Sequence, residues 1–299
     1  MPCQYNALPF RQVAVEIVIP VYNEEVALPR NISVLCAYLE TYLPYRWSVV
    51  IADNAFTDRT FAIAKELAAH PCVSVMRLEG KGRGLALRVA WLASEADVVA
   101  YMDVDLSTNL WTFLPLIAPL WPAATERPGH RLAPPQRILK GATVTRQWKR
   151  ELMSRCYNLL IKAMFRNRFS DTQCGFKALK RNVAEVLLPL VEDNEWFFDT
   201  ELLLLAEERG YRISEVPVDW IEDLDSQVQI VSAPLEDVKG LLPGYGRSAC
   251  AACSPIGTLM ASWMPLVVLS SMISARPPSW STRAMPHTIL YRKLVLGVT

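Results

Sequence analysis

Four short apolar segments rich in β-branched residues alternate with longer segments whose apolar residues recur at helical spacing. The apolar segments cover residues 13–22, 47–54, 72–78 and 97–106. Such short runs predict buried strands, and the segments between them predict helices. Strands that alternate with helices favour a parallel sheet, because each helix carries the chain back across a face of the sheet. We therefore predict an α/β fold of the Rossmann-like type, with a mostly parallel sheet and helices on both faces.

Composition narrows the class of protein. The chain has 299 residues, of which 52% are hydrophobic and 20% are charged, and its formal net charge is +1. This balance is sufficient for a sizeable core and argues against disorder. A near-neutral chain offers no broad basic surface, so we expect no nucleic-acid partner. The seven cysteines are scattered and odd in number, which predicts reduced thiols in a cytosolic protein.

Polar side chains follow each of the four predicted strands. In sheets of this kind, ligands bind in the crevice beyond the carboxyl ends of the strands. We therefore expect the polar strand ends to lie near one another at one edge of the sheet. These strand ends carry Glu24 and Glu25, Asp53 and Asn54, Lys81 to Arg83, and Asp103 with Asp105.

Asp103 and Asp105 form a D-x-D pair at the end of the fourth predicted strand. The alternation of a strand would place both carboxylates on one face, with Val104 on the other. Carboxylate oxygens suit Mg²⁺ or Mn²⁺, which proteins commonly share with substrate phosphates. Taken alone, the pair also fits a second interpretation, in which an aspartate caps the loop at the polar end of a buried strand.

The glycine-rich segment GKGRG covers residues 80–84, after the third predicted strand. It is neither a Walker loop nor a G-x-G-x-x-G fingerprint. An NAD-binding site and an ATP-binding site therefore lose their main support in this sequence.

Six segments, taken in order, resemble a known family. They are VIPVYNEE, ADNAFTDRT, KGRGLALR, MDVDLST, DTQCGFKAL and WFFDTELLLLAEERGYRISEVPVDW, and the resemblance covers residues 15–240. The ordered set resembles the family 2 inverting glycosyltransferases, which have a GT-A fold. Within that family the chain looks most like the enzymes that load a sugar onto dolichyl or polyprenyl phosphate, particularly the glucosyltransferase branch.

The resemblance implies a nucleotide-sugar site at the strand ends. Asp103 would contact the ribose or a metal ion, Asp105 would ligate the Mg²⁺ or Mn²⁺ that bridges the diphosphate, and Ser107 would add a ligand or hold a water. Gly82 and Gly84 would let the backbone approach the diphosphate. The implied donor-binding residues are Pro20, Tyr22, Glu24, Asp53, Lys81, Arg88, Asp103, Asp171 and Gln173.

Two of these residues also have a purely structural interpretation. Tyr22 fits a packed aromatic side chain at a strand end, and Arg88 fits a solvated helix face. Both interpretations stay open at the level of the sequence.

The acceptor side of such a site requires cations more than a strong base, because a lipid phosphate is already an anionic nucleophile. By resemblance, Arg146, Arg150 and Ser154 would hold this phosphate. Arg150 and Ser154 are four residues apart and therefore lie on one helix face. Asp199 lies where this family often has an acidic acceptor-site residue, and is the third catalytic candidate beside the D-x-D pair. The alternatives are an exposed ion pair for Arg150 and a helix N-cap for Asp199.

The resemblance therefore predicts transfer of a hexose from a nucleotide sugar to dolichyl or polyprenyl phosphate, with inversion at the anomeric carbon. UDP-glucose is the first choice of donor, and GDP-mannose is the second. Two further functions stay open. One is a family 2 transferase acting on a soluble or polysaccharide acceptor with Asp199 as its base, and the other is a nucleotide-sugar-binding protein without turnover. Departures from the family pattern at Ala55, Phe56 and Gln227 concern donor affinity more than the fold.

The C-terminal part of the chain differs from the rest. We expect a GT-A domain over residues 1–240 and a tail over residues 241–299. The segment around residues 254–275 has no charged residue, and its length and apolarity fit a membrane segment. A buried core helix is the alternative for this segment. A lipid acceptor together with such a segment predicts a protein at the cytoplasmic face of a membrane, and the sequence does not specify an oligomeric state.

Overall fold

The fold is taken from a computed structural model, which describes residues 13–54, 57–120, 143–145, 148–172, 174–218, 220–221, 289–290 and 293–298. The helices are α1 (Ala27–Tyr42), α2 (Thr60–Leu67), α3 (Arg83–Ala93), α4 (Phe113–Ile117), α5 (Trp148–Phe165), α6 (Arg181–Leu187) and α7 (Phe198–Glu208). The strands are β1 (Ala14–Val21), β2 (Arg46–Asn54), β3 (Val73–Leu78), β4 (Val98–Met102), β5 (Thr143–Thr145), β6 (Phe176–Lys180), β7 (Ile213–Val218), β8 (Trp220–Ile221), β9 (Ile289–Leu290) and β10 (Lys293–Val298).

Seven strands form the main sheet in the order β3-β2-β1-β4-β6-β10-β7. The first four of these strands pair in parallel, whereas β6 runs antiparallel to β4 and β7 runs antiparallel to β10. The predicted α/β class with a mostly parallel sheet is therefore confirmed. The strand order changes direction between β1 and β4, which is the topological switch point where sheets of this kind bind ligands.

Two apolar clusters cover the two faces of the sheet, as the sequence pattern predicts. One cluster packs α1, α2 and α4 against alternate residues of β1 such as Ile17 and Ile19. The other packs α3, α5, α6 and α7 against the opposite face, where Val18 points. The buried face of α1 consists of Leu28 and further apolar residues at helical spacing. Alternation in the strands and the helical period in the helices thus explain why the helices lie on both faces.

The last described residues belong to the main sheet. Residues 293–298 form β10, which pairs in parallel with β6 and antiparallel with β7. The sequence-based prediction places these residues in a tail that follows the GT-A domain. In the structure they form a strand of the domain's main sheet. Residues 222–288 lie outside the described residues, and with them the predicted membrane segment at 254–275. The boundary at residue 240 stays a prediction.

Two further expectations concern membrane crossing and cysteine chemistry. Within the described parts of the chain, no helix combines the length and apolarity that crossing a bilayer requires. Cys36 and Cys174 are buried and not disulfide-bonded, and burial raises the pKa of Cys36 to about 11. Cys72 is disulfide-bonded, so the expectation that every cysteine is reduced is wrong for this residue. Disulfide formation depends on the distance between cysteines in space, which their spacing in the sequence does not reveal.

Helix α3 passes close to the start of α7, and glycines make this approach possible. A Cβ atom added at Gly84 would lie 2.6 Å from Phe198 Cβ and 2.9 Å from the carbonyl carbon of Asn194. Gly82 has a φ of 150°, and a Cβ atom there would lie 2.5 Å from the Asn194 carbonyl oxygen. The sequence-based hypothesis is that both glycines let the backbone approach a diphosphate. In the structure, both glycines pack against residues 194–198.

Gly84→Ala is expected to lower the free energy of unfolding by about 1–3 kcal/mol, because the added methyl group overpacks the contact between α3 and α7. In a helix without a close neighbour, the same change raises the free energy of unfolding by roughly 1 kcal/mol. A decrease would therefore show that Gly84 is packed against α7. Urea unfolding followed by circular dichroism measures it, with Val89→Ala at an exposed position of α3 as the control. A Gly84→Ala protein at least as stable as the unsubstituted chain would contradict the packing.

Candidate functional site at the carboxyl edge of the sheet

Two predicted donor-site residues contact each other beyond β1 and β3. Tyr22 follows β1 and is 39% exposed. The Lys81 Nζ lies 4.5 Å from the centroid of the Tyr22 ring, which is a cation–π distance. Pro20 and Glu24 are half-buried at the same strand end. The exposure of Tyr22 argues against the alternative in which its ring is fully packed.

The D-x-D pair lies in a turn. β4 ends at Met102, and the Leu106 amide donates to the Asp103 carbonyl at 3.3 Å. The prediction that the fourth strand continues through Asp105 is therefore wrong, and strand alternation does not set the directions of these two carboxylates. Asp103 and Asp105 are both half-buried. The Ser107 amide donates to Asp105 Oδ1 at 3.0 Å and its hydroxyl donates to Oδ2, so Ser107 orients the Asp105 carboxylate.

The antiparallel strand β6 brings a second loop to the same edge of the sheet. Met102, the last residue of β4, pairs with Phe176, the first residue of β6. The loop before β6 therefore lies beside the D-x-D turn, and the Asp103 amide donates to the Gly175 carbonyl at 3.0 Å. A Cβ atom added at Gly175 would overlap the Asp103 carboxylate. Only glycine leaves room for that carboxylate in its observed position.

Arg83, the first residue of α3, lies between two carboxylates. Its Nη1 is 2.7 Å from Asp199 Oδ2, and its Nη2 is 3.0 Å from Asp103 Oδ1. Nη2 also donates to the Tyr101 hydroxyl at 3.2 Å, and this hydroxyl donates to Asp199 Oδ2 at 2.6 Å. The guanidinium carbon lies 5.0 Å from the ring centroid of Tyr101 and 5.2 Å from that of Trp196. One side chain thus connects β4, the D-x-D turn and α7.

A second buried cation completes this group. Lys177 on β6 is 1% exposed, and its Nζ donates to the carbonyls of Thr172 at 3.1 Å and Cys174 at 2.6 Å. Nζ also donates to the Tyr101 hydroxyl at 3.2 Å and lies 3.5 Å from Asp199 Oδ1, which accepts no hydrogen bond from the described residues. These contacts join five residues into one group, the Arg83 cluster: Arg83, Tyr101, Asp103, Lys177 and Asp199.

The Arg83 cluster fixes the ionisation state of Asp199. Burial by itself raises the pKa of this carboxyl, but the charges of Lys177 and Arg83 more than offset it, so the pKa falls below its ordinary value of 3.8. Burial raises the pKa of the Tyr101 hydroxyl well above its usual range, so this hydroxyl stays protonated. At neutral pH, Asp199 is therefore an anion between two cations, with little tendency to take up a proton.

The two acidic residues in the first turn of α7 are both buried and both engaged. Phe197 occupies the N-cap position of α7, so the alternative that Asp199 is the N-cap is wrong. Glu201 is 1% exposed, and its Oε2 accepts hydrogen bonds from the amides of Glu192 at 3.0 Å and Asp193 at 2.9 Å. Burial raises the pKa of the Glu201 carboxyl. Glu201 therefore holds the loop that precedes α7.

Two further donor-site candidates contact protein groups. The Arg88 Nη2 donates to the Asp193 carbonyl at 2.9 Å, so this side chain supports the loop before α7 and does not lie on a solvated helix face. Asp171 is 7% exposed, and its Oδ1 lies 3.5 Å from the Asn158 side-chain amide. The donor contacts assigned to Arg88 and Asp171 stay predictions.

The remaining candidates fall outside what the structure describes. Arg146 and Gln173 are not among the described residues, and neither are the side chains of Asp53, Arg150 and Ser154. Their assignments to the donor and to the acceptor phosphate stay predictions.

Three members of the Arg83 cluster have no individual role in the sequence-based prediction: Arg83, Tyr101 and Lys177. One signal for Lys177 exists in the sequence. It interrupts the apolar strand FKAL, and a lysine buried in a sheet requires a carboxylate partner. The sequence does not indicate which carboxylate this is, because Asp199 is on a helix that begins many residues later.

The oxygen atoms of the D-x-D turn suit a divalent cation. Mg²⁺ binds through one or two carboxylates and takes its other ligands from substrate phosphates and water. Asp103 and Asp105 are half-buried carboxylates of this kind. Among the described residues, no group of three or more His, Cys, Asp or Glu side chains is arranged to hold a metal ion. The two aspartates therefore fit a shell that a substrate and water complete.

Asp199→Asn is expected to lower the free energy of unfolding by about 3 kcal/mol at neutral pH, because it leaves Arg83 and Lys177 without their buried counter-charge. The lowered pKa sets the pH dependence: the stabilisation is present above about pH 4, the unfolded value, and is lost as the pH falls through the folded value. The difference between the two proteins should therefore be constant from about pH 7 to 5 and shrink below about pH 4.

Urea unfolding across this pH range measures the effect of Asp199→Asn. Glu208→Gln, at the exposed end of α7, is the matched control and should change stability by less than about 0.5 kcal/mol. A difference between Asp199→Asn and the unsubstituted chain that grows towards acid pH would contradict the assigned ionisation.

Similarity to known proteins identifies the family of the chain. The model of the family described as "Glycosyl transferase family 2" matches residues 16–188. Glycosyltransferase AglD from Haloferax volcanii is 37% identical over 229 residues, which cover 73% of this chain and 35% of that protein. The chain thus spans about a third of the length of that relative. Dolichyl-phosphate beta-glucosyltransferase ALG5C from Trichomonas vaginalis is 28% identical, and the match covers 73% of this chain and 67% of that protein.

A solved structure has the same fold. It is glucosyl-3-phosphoglycerate synthase from Mycobacterium tuberculosis in complex with Mn²⁺, UDP and phosphoglyceric acid. The TM-score is 0.51 at 16% identity, and the match covers 81% of this chain and 80% of that chain. This likeness confirms the predicted GT-A fold. Since the family match covers more than half of the 299 residues, the chain belongs to glycosyl transferase family 2.

Proposed function

We propose that this chain transfers glucose from UDP-glucose to dolichyl or polyprenyl phosphate, with inversion at the anomeric carbon. Relatives from Trichomonas vaginalis and Drosophila melanogaster are dolichyl-phosphate beta-glucosyltransferases, each 28% identical to this chain. The observation that carries the choice of acceptor is the ionisation state of Asp199 within the Arg83 cluster.

An acceptor hydroxyl loses its proton during attack, so a transferase that uses one needs a general base with a pKa near the working pH. Asp199 is the acidic residue that the family resemblance assigns to the acceptor side. It is 2% exposed, its pKa is lowered, and it is paired with two cations. Such a carboxylate is a poor base. A phosphate monoester is already anionic at neutral pH, so it attacks without a base and fits this site better.

The reaction exchanges one bond at the anomeric carbon for another. An oxygen of the lipid phosphate forms a bond to this carbon as the bond from the carbon to the UDP oxygen breaks. Attack opposite the leaving group gives a β-linked product from an α-linked donor. Lys81 at the strand ends faces the negative charge that develops on UDP. Asp103, Asp105 and Ser107 would hold a Mg²⁺ or Mn²⁺ ion, which supplies further charge stabilisation for the diphosphate when bound.

The acceptor phosphate would bind at the start of α5. Arg150 and Ser154 are four residues apart in this helix and share a face, and Arg146 precedes it. Two arginines provide charge-assisted hydrogen bonds to a phosphate. Because the acceptor is a membrane lipid and the donor is water-soluble, the proposed location is the cytoplasmic face of a membrane.

The acceptor proposal predicts strict dependence on a phosphate group. With UDP-[¹⁴C]glucose and Mn²⁺, the purified full chain should place label in the lipid phase with dolichyl phosphate. It should place none there with dolichol, since Asp199, the carboxylate assigned to the acceptor side, is a poor base for a hydroxyl. GDP-[¹⁴C]mannose in parallel reactions identifies the sugar. Equal transfer to dolichol, or transfer to a soluble sugar but to no lipid phosphate, would refute the proposal, and saturable UDP binding without any turnover would indicate a binding protein.

Gly175→Ala is expected to lower kcat/KM about 100-fold, because the added methyl group crowds the D-x-D turn, and a shift of about 1 Å in Asp103 would misplace this residue for holding a metal ion. Gly80→Ala is the matched control, since a Cβ atom there meets only the flexible Leu85 Cδ2, at 3.1 Å. Initial-rate kinetics and thermal unfolding should be measured for both proteins. A folded Gly175→Ala enzyme with unchanged kcat/KM would show that the reaction does not depend on the close contact between Gly175 and Asp103.

A further inference from the structure

Arg83 holds the same carboxylate that the proposed donor site needs. Its Nη2 lies 3.0 Å from Asp103 Oδ1, and the two side chains are 13% and 46% exposed. A guanidinium and a divalent cation both bind carboxylate oxygens, so both compete for Asp103.

Arg83 is anchored independently of Asp103. Its Nη1 is 2.7 Å from Asp199 Oδ2, and the Asp199 side chain is 3% exposed. The rings of Tyr101 and Trp196 lie 5.0 and 5.2 Å from the guanidinium carbon. The two ends of the guanidinium thus differ: Nη1 binds a buried, fixed partner, and Nη2 binds a carboxylate at the solvent edge. If Asp103 turns away, Arg83 stays in place and Nη2 loses a partner.

The charge balance of the Arg83 cluster changes with Asp103. With Asp103 included, the cluster holds two cations, Arg83 and Lys177, and two carboxylates, Asp103 and Asp199. Without Asp103 it keeps one positive charge in excess. This excess lies on Nη2, beside the turn where the proposed donor diphosphate would lie.

We infer that Arg83 is a donor-contact residue that Asp103 masks until a divalent cation binds. Asp103 exchanges the Arg83 guanidinium for the cation, and the released Nη2 donates to an oxygen of the donor diphosphate. This inference rests on the proposed nucleotide-sugar site and adds to it a residue and an order of events. Metal binding and nucleotide binding are then coupled through a residue that does not touch the metal.

If Asp103 exchanges Arg83 for the cation, Arg83→Gln should raise the affinity for Mn²⁺ and lower the affinity for UDP. Mn²⁺ alone should bind about two- to fivefold more tightly than to the unsubstituted chain, because Asp103 no longer has to leave a partly exposed ion pair. UDP at saturating Mn²⁺ should bind about tenfold more weakly, because a charge-assisted hydrogen bond to the diphosphate is lost. The electron paramagnetic resonance signal of free Mn²⁺ measures the first affinity, and titration calorimetry measures the second.

Two variants separate the exchange from a general change of charge. Lys81→Gln removes a positive charge from the same segment, but Lys81 lies over the Tyr22 ring. It should therefore increase Mn²⁺ affinity less than Arg83→Gln does. Arg83→Lys keeps the charge but lacks the planar fork whose Nη1 and Nη2 reach Asp199 and Asp103 separately. It should therefore hold Asp103 less well and still bind Mn²⁺ more tightly than the unsubstituted chain.

Several outcomes would overturn the inference. Equal Mn²⁺ affinities for Lys81→Gln and Arg83→Gln would mean that the effect comes only from the loss of one positive charge. Weaker binding of both Mn²⁺ and UDP by Arg83→Gln would make Arg83 a structural residue, with thermal unfolding as the check. If the unsubstituted chain binds UDP but Mn²⁺ neither binds nor strengthens that binding, the exchange fails while the nucleotide site stands. If it binds no nucleotide at all, the proposed function itself fails.

Discussion

The ion pair between Arg83 and Asp199 is the contact on which the geometry of the site depends. It joins the first residue of α3 to the first turn of α7, and through Tyr101 and Lys177 it connects both helices to β4 and β6. Both side chains are almost fully buried, so each charge relies on the other for compensation. The helices can approach this closely only because Gly84 has no side chain to meet Phe198.

Burying so many charges is not explained by stability alone. Apolar side chains of similar volume often stabilise a fold as well as an internal ion pair does, because charges lose much of their hydration energy on burial. A network of this kind does fix positions, since each carboxylate and cation has a defined hydrogen-bond direction. Its position beside the D-x-D turn and the loop before β6 therefore indicates a role in orienting that edge of the sheet.

The sequence predicts the elements of the first hundred residues and the edge at which they present polar groups, because alternation and helical spacing are local signals. It also identifies the D-x-D pair and the family. It does not predict that β4 ends before Asp103, nor that β6 runs antiparallel and brings Gly175 against Asp103, since strand pairing is a long-range property. Arg83 and Lys177 are missed for the same reason: their partners are on elements distant in sequence, and a single arginine at a helix start also fits solvent or phosphate.

The same charges also limit the chemistry of the site. A carboxylate that compensates two buried cations is a poor proton acceptor near neutral pH, because protonation would leave Lys177 without its counter-charge and Arg83 with only the partly exposed Asp103. The Asp199 carboxylate compensates Arg83 and Lys177, and Glu201 Oε2 accepts hydrogen bonds from the backbone amides of the loop before α7. An acceptor that brings its own negative charge needs neither residue as a base. Under the proposed function, the charged groups at this edge hold anions in place, which is the main requirement when one phosphate replaces another at a sugar carbon.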